Sequence, residues 1–117
     1  MSAAELVGRC FHARTEAHIF HLQTRSFAAH KALNEFYDEI VELTDSFAEA
    51  YQGRFGIITG YPETYESCAD EMEMLTDLRD WIDKNRKAIS ERSELQNLID
   101  EIVSLIDGTM YKLKFLK

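Results

Sequence analysis

The sequence predicts an all-α protein, an antiparallel four-helix bundle formed by a single domain of residues 1–117. Three observations lead to this fold class. Apolar residues recur every three or four positions through four long segments. The chain has only one proline and five glycines, so little interrupts those segments. With 45% hydrophobic residues, a chain of 117 residues is also large enough to bury one core without disulfides.

The first two predicted helices are separated by a short break. Ser2 is expected to cap the first helix, and Glu5 completes a capping box. The break at residues 24–26 ends with Ser26, which is expected to cap a second helix that runs to about Phe55. The first helix has two apolar flanks, and the second flank indicates contact with another subunit. The flanks consist of Leu6, Cys10, Ala13, Ala17 and Phe20, and of Val7, Phe11, His18 and Leu22.

The second half of the chain predicts two further helices. Residues 56–64 form the one expected loop, and Pro62 suits the first turn of the third helix. Heptad-spaced apolar residues, beginning at Cys68, mark the core face of that helix. The fourth helix follows a break around residues 90–93. Because glycine costs stability inside a helix, Gly108 is expected where another element packs closely.

Charge and composition exclude several classes of function. The net charge of −8 argues against binding to DNA, because phosphate contacts need Lys and Arg. No run of 18 apolar residues is present, so no membrane span is expected, and the first residues do not resemble a signal peptide. Cys10 and Cys68 have no CxxC partner, which is typical of a reducing compartment. We therefore expect a cytoplasmic protein, in the host cytoplasm if a virus encodes it.

Four potential metal ligands lie in the first two predicted helices. They are His18, His30, Asp45 and Glu49, so that two imidazoles are followed by two carboxylates one helical turn apart. Imidazole and carboxylate together suit iron, and zinc or manganese are possible alternatives. On the wheel of the second helix, Asp45 and Glu49 fall outside the core face. They are therefore expected to face solvent or another subunit.

Other interpretations of these residues stay open. His21, one turn after His18, could form an alternative or auxiliary metal site with Asp38 and Glu42. A histidine on an amphipathic helix is more often a packing or surface residue than a ligand. A pair of carboxylates one turn apart is, taken alone, an ordinary solvated pair.

The stretch that carries these ligands resembles the Dps-type ferritins, the small ferritins named for DNA protection during starvation. His18 and His30 match the two histidines of that family, and Asp45 and Glu49 match its D-x-x-x-E pair. The surrounding segments FAAH at residues 27–30 and DSFAE at residues 45–49 also match. The chain is thus identified as a shortened member of the ferritin-like superfamily.

This resemblance implies a function. In Dps-type ferritins the metal site lies between two subunits related by a twofold axis, with histidines from one chain and carboxylates from the other. The assembled shell takes up Fe²⁺, oxidises it and stores the ferric product, which protects against oxidative damage. By this resemblance, His18, His30, Asp45 and Glu49 are both metal ligands and the catalytic residues of a ferroxidase, and the chain self-associates as a twofold dimer or a larger shell.

A second function is compatible with the same sequence. Ile19 stands where the family usually has tryptophan, and neither end of the chain carries a basic tail. The alternative is a non-enzymatic ferritin-like helical bundle that acts as a structural or protein-interaction module.

Overall fold

The computed structural model describes residues 2–117, which form four α-helices and no strand. The all-α four-helix bundle predicted from the sequence is therefore confirmed. In chain order the helices are α1 (Ala3–Gln23), α2 (Phe27–Phe55), α3 (Glu71–Ile89) and α4 (Ser93–Phe115).

Local capping explains where three of the helices begin. The side chains of Ser2, Ser26 and Asp70 each accept a hydrogen bond from the backbone amide three residues later. Such a bond satisfies one of the amides that has no partner inside the helix. α4 begins after Arg92, which makes no side-chain capping bond.

Each helix packs against two neighbours. α1 contacts α2 and α3, and α4 contacts α2 and α3, so α2 and α3 lie diagonally across the bundle. The contacts between side chains give the directions. The Arg54 guanidinium at the end of α2 lies 3.8 Å from the Glu94 carboxylate at the start of α4. The Lys112 ammonium near the end of α4 lies 2.7 Å from the Glu35 carboxylate near the start of α2. α2 and α4 are therefore antiparallel.

α1 and α3 are antiparallel as well. The Arg9 guanidinium lies 4.7 Å from the centre of the Trp81 ring, while Glu16, farther along α1, binds the backbone amide of Cys68 just before α3. α1 and α2 are also antiparallel, because His21 near the end of α1 stacks on His30 near the start of α2. It follows that α2 and α3 run in the same direction. The connection between them, residues 56–70, must therefore cross the bundle from one end towards the other, and we call it the crossover.

The crossover corrects one prediction. The third helix was expected to start at Pro62, but α3 begins at Glu71, and both Pro62 and Cys68 lie in the crossover. The physical reason is reach. An extended residue advances about 3.3 Å along the chain and a helical residue only about 1.5 Å. A helix that started at Pro62 would shorten the segment that has to cross the bundle.

The core lies between the four helices, and all four contribute to it. Thr44 is buried there and satisfies its hydroxyl by donating a hydrogen bond to the Ile40 carbonyl, 2.6 Å away. Burial also raises the pKa of the Cys10 thiol to about 12. The largest fully buried side chains are Phe36, Phe47, Leu6, Leu33, Ile40, Leu75, Ile82, Leu95, Ile99, Ile102 and Ile106.

One expectation about packing is wrong, and another stays a prediction. Leu22, on the second flank of α1, is 71% exposed in the single chain, so contact of this flank with another subunit stays a prediction. Phe27, the first residue of α2, is 75% exposed. Gly108 has no neighbouring heavy atom within 4 Å of the position that a Cβ would take, so nothing packs closely there. Among residues 2–117, no helix is long and apolar enough to span a membrane.

Candidate functional site on α1 and α2

The predicted ligands fall into two groups on the surface of α1 and α2. His18 is exposed, and its ring stacks on Tyr37 with 4.2 Å between the ring centroids. His30 is half-buried in the first turns of α2. Asp45 and Glu49 are both exposed in the second half of α2, as the helical wheel predicted.

One chain alone does not bring these groups together. His30 and Asp45 are 15 residues apart on the same helix, which separates them by about 22 Å. A metal ion is held by ligands about 2 Å from it, so both groups cannot bind one ion within a single chain. The four residues form one site only if a second chain contributes to it.

His30 is paired with His21 and not with His18. The rings of His21 and His30 stack with 3.6 Å between their centroids and an angle of 19° between their planes. The Nδ1 atom of His21 lies 2.6 Å from the carbonyl oxygen of His30, and the Nδ1 atom of His30 lies 2.8 Å from the carbonyl oxygen of His21. We call this reciprocal arrangement the histidine clamp.

The clamp joins the end of α1 to the start of α2. His21 is 7% exposed, and its ring also meets His18 and Tyr37 edge-on, at 5.8 Å and 5.3 Å between centroids. The carbonyl of His21 lies in the last turn of α1, where carbonyl groups lack a partner inside the helix. His30 supplies the missing donor. The clamp thus satisfies a helix end and packs the two helices together.

The weaker candidate site does not form around His21. Asp38 is exposed and accepts a hydrogen bond of 2.9 Å from the side-chain amide of Asn34. Glu42 is exposed on the same helix. Neither belongs to a group of three possible metal ligands among the residues that the structure describes.

A different cluster, which the sequence analysis missed, lies between the crossover and α3. In residues 2–117, Cys68, Glu73 and Asp77 alone bring three possible ligand atoms within 4.8 Å of one another. Burial, followed by the neighbouring carboxylates of Glu16 and Asp77, raises the pKa of the Cys68 thiol to about 11. The thiol donates a hydrogen bond to Asp77, with 3.6 Å between sulfur and oxygen. The one signal in the sequence is that residues 55–78 contain no Lys or Arg.

Cys68, Glu73 and Asp77 line a cleft of about 640 Å³, and the side chains of His12 and Glu16 line the same cleft. Glu16 is 7% exposed, and its carboxylate binds both His12, 2.7 Å from the ring Nε2, and the backbone amide of Cys68, at 2.8 Å. The ring of His12 stacks on Tyr65 at 5.2 Å between centroids. These contacts fasten the crossover to α1. Each oxygen of the Glu16 carboxylate has one partner in these contacts, Oε1 with His12 and Oε2 with the amide of Cys68.

Comparison with known protein families identifies the family of this chain. A family profile described as "Family of unknown function (DUF5856)" matches residues 21–113. The chain belongs to this family. Of the predicted metal ligands, His18 precedes the matched residues, and the other six lie within them: His21, His30, Asp38, Glu42, Asp45 and Glu49.

A phage protein is similar to this DUF5856 chain over nearly its whole length. It is described as an uncharacterized 14.6 kDa protein in the mobD-ri intergenic region of Enterobacteria phage T4. The two sequences are 28% identical over 116 residues, which cover 97% of this chain and 86% of the phage protein. No solved structure matches the chain.

Proposed function

We propose that this protein binds Fe²⁺ between two copies of the chain, oxidises it and sequesters the product, as Dps-like ferritins do. In the oxidation each Fe²⁺ loses one electron to dioxygen or hydrogen peroxide and becomes Fe³⁺. Removing Fe²⁺ in this way would protect the cell from oxidative damage. Zn²⁺ and Mn²⁺ suit the same imidazole and carboxylate ligands and are the alternative metals.

The distribution of ligands along α2 carries the proposal. His30 lies near the start of the helix, and the exposed pair Asp45 and Glu49 lies near its end. A twofold axis that crosses α2 near Asp38, halfway between the two groups, would set the imidazole end of one chain against the carboxylate end of a second. One axis would then produce two equivalent sites. Neither site requires Asp45 and Glu49 to turn towards their own core.

The connectivity of the bundle gives independent support. Ferritin-like folds are four-helix bundles with one long crossover connection, whereas simple up-and-down bundles have short loops only. The crossover between α2 and α3 is of this kind, since α2 and α3 are parallel and diagonal. This likeness concerns the topology of the chain. It raises the expectation of a ferritin-like site, which the ligands themselves have to justify.

Two measurements test the proposal together. Light scattering gives the mass of the assembly, and absorbance after anaerobic loading with Fe²⁺ and admission of air follows formation of Fe³⁺. We expect a dimer or larger assembly, and we expect it to oxidise Fe²⁺ faster than air oxidises Fe²⁺ in buffer without protein. The variants His30→Gln and Asp45→Asn should lose at least nine-tenths of that rate, because each removes a ligand, while circular dichroism shows unchanged helicity.

Matched variants make the result specific. His12→Gln removes a histidine that lies in the cleft on the other side of α1, and Asp83→Asn removes an exposed carboxylate of α3. Both controls should oxidise Fe²⁺ at the rate of the unsubstituted protein. Unchanged oxidation in the His30 and Asp45 variants, or a monomer that leaves Fe²⁺ untouched, would refute the proposal.

Large apolar side chains on the surface favour the second candidate, a protein-interaction module. Leu22 and Phe27 are 71% and 75% exposed beside the turn between α1 and α2. Phe115, at the end of α4, is 71% exposed. Exposed apolar residues that cluster in one region often mark a protein interface. A stable monomer without metal affinity would favour this function over the first.

A further inference from the structure

We infer that the histidine clamp fixes the tautomer of His30, so that Nε2 is the nitrogen that His30 offers to a metal ion, and that His21 is the residue that positions it. The inference rests on the proposed function for the identity of the ligand, and on the geometry of α1 and α2 for the tautomer. The spacing of the histidines in the sequence does not pair His21 with His30.

The hydrogen bonds determine which nitrogen carries the proton. A carbonyl oxygen only accepts hydrogen bonds, so a ring nitrogen that binds one must donate. The Nδ1 atoms of His21 and His30 lie 2.6 Å and 2.8 Å from the carbonyl oxygens of the opposite residue. Both rings therefore carry their proton on Nδ1. A neutral imidazole has only one N–H, so both Nε2 atoms keep a free lone pair.

Metal-binding histidines use the same arrangement. The nitrogen that does not bind the metal typically donates to a backbone carbonyl or a carboxylate, which fixes the orientation of the ring and makes the ligating nitrogen more basic. In the clamp the carbonyl of His21 takes this part for His30. The stacked ring of His21, 93% buried, adds a rigid surface against which the ring of His30 cannot rotate freely.

Burial distinguishes the parts that the two residues play. His30 is half-buried and can be reached from solvent, so it is the ligand. His21 is 7% exposed and acts on the metal only through His30, so it is a positioning residue. His18 stacks on Tyr37, and neither of its ring nitrogens has a hydrogen-bond partner in residues 2–117. Its tautomer is left to solvent.

The protein contains its own control for the tautomer. His12 has its Nε2 atom 2.7 Å from a carboxylate oxygen of Glu16 and 3.2 Å from the carbonyl oxygen of Glu66. Both of these oxygens accept, so His12 carries a proton on Nε2, opposite to His21 and His30. One spectrum of the metal-free protein therefore separates the two classes of histidine.

The test is long-range ¹H–¹⁵N correlation NMR of the unsubstituted metal-free protein, at a pH where the imidazoles are neutral. We expect the pattern of an Nδ1–H tautomer for His21 and His30 and the pattern of an Nε2–H tautomer for His12. An Nε2–H tautomer at His30 would overturn the inference. No substitution is needed, so misfolding of a variant cannot affect the result.

Two further experiments distinguish a failure of this inference from a failure of the proposed function. Because the acceptors are backbone carbonyls, His21→Gln should leave His30 in the Nδ1–H tautomer but abolish the stacking, which will appear as a change in its ring proton shifts. When Zn²⁺, a diamagnetic probe, is added to the unsubstituted protein, the Nε2 resonance of His30 should shift strongly and its Nδ1 resonance weakly. A strong shift at Nδ1 contradicts the inference. If the tautomers are as expected but Zn²⁺ changes nothing, the clamp stands and the proposed iron site fails.

Discussion

Two glycines inside helices of this protein have opposite surroundings. A Cβ atom at Gly8 in α1 would overlap the hydroxyl oxygen of Tyr65 and lie 2.8 Å from its Cζ atom, whereas one at Gly108 in α4 would meet nothing within 4 Å. Tyr65 in the crossover thus lies directly on the backbone of α1. Its hydroxyl is buried without a hydrogen-bond partner.

These surroundings give opposite predictions for the same substitution. Gly8→Ala should lower the free energy of unfolding by about 1–3 kcal/mol, because Tyr65 has to move. Gly108→Ala should raise it by about 0.5–1 kcal/mol, since alanine loses less conformational entropy in a helix. Urea denaturation measures both. Equal effects of the two substitutions would contradict the close contact between Tyr65 and α1.

The reactivity of Cys68 provides a second prediction at the level of single residues. With a pKa of about 11, its thiol is protonated at neutral pH and should react slowly with iodoacetamide. Asp77→Asn removes a negative charge beside the sulfur, which lowers the pKa and should accelerate the reaction severalfold at pH 7.5. The rate should rise with pH in both proteins, and the curve of the variant should lie at lower pH.

Two comparisons make the rate interpretable. Asp83→Asn removes an exposed carboxylate of α3 that is not among the causes of the raised pKa of Cys68, and should leave the rate unchanged. Cys10 is fully buried with a pKa of about 12, so it should remain unmodified and serve as an internal reference. If Asp77→Asn and Asp83→Asn react alike, the carboxylate of Asp77 does not act on the thiol.

Residue spacing predicted the candidate ligands but not their partners. The sequence indicates that two histidines and two carboxylates lie on the first two helices, and that Asp45 and Glu49 face away from the core. It does not indicate that His21 lies opposite His30. That pairing depends on how α1 and α2 are aligned across the turn at residues 24–26, which is a property of the packed hairpin and not of helical periodicity.

The capping residue sets the start of a helix. The sequence predicts this residue correctly where it follows a break in the apolar pattern. Ser2 and Ser26 were both predicted as caps and both accept the expected hydrogen bond. The start of α3 was not predicted, because Pro62 offered a plausible first turn and Asp70 was hidden in an acidic run. The path of the crossover, a tertiary property, decided between them.

The cap of α2 can be tested directly. Ser26→Ala should lower the free energy of unfolding by about 1 kcal/mol, because the amide of Ala29 loses its partner at the start of the helix. Ser46→Ala, at an exposed position in the middle of the same helix, should be neutral or slightly stabilising. Thermal unfolding followed by circular dichroism measures both. A loss of similar size at Ser46 would show that the effect is not due to capping.

At the scale of the whole molecule, the proposed site links metal binding to association. A ligand that binds only the folded assembly stabilises it, by about 2.7 kcal/mol at a concentration 100 times its Kd. Zn²⁺ should therefore raise the unfolding temperature of the unsubstituted protein and of His12→Gln, but not of Glu49→Gln. The rise should also depend on protein concentration, because both chains contribute ligands. A rise that is independent of protein concentration would place the metal within one chain.

The crossover also sets a length limit on the chain itself. Two hydrogen bonds fix the ends of the part that runs along α1. The backbone amide of Ile58 donates to the side chain of Gln52, and the backbone amide of Cys68 donates to the carboxylate of Glu16. Ten residues reach at most about 33–36 Å when fully extended, and α1 rises about 20 Å from its first residue to Glu16. A deletion that halved this tether would leave it too short for the crossing. α3 would then have to enter the bundle from the opposite end. The same four helices could thus pack in either of two topologies. The number of residues in this segment selects between them, more than the identity of those residues does.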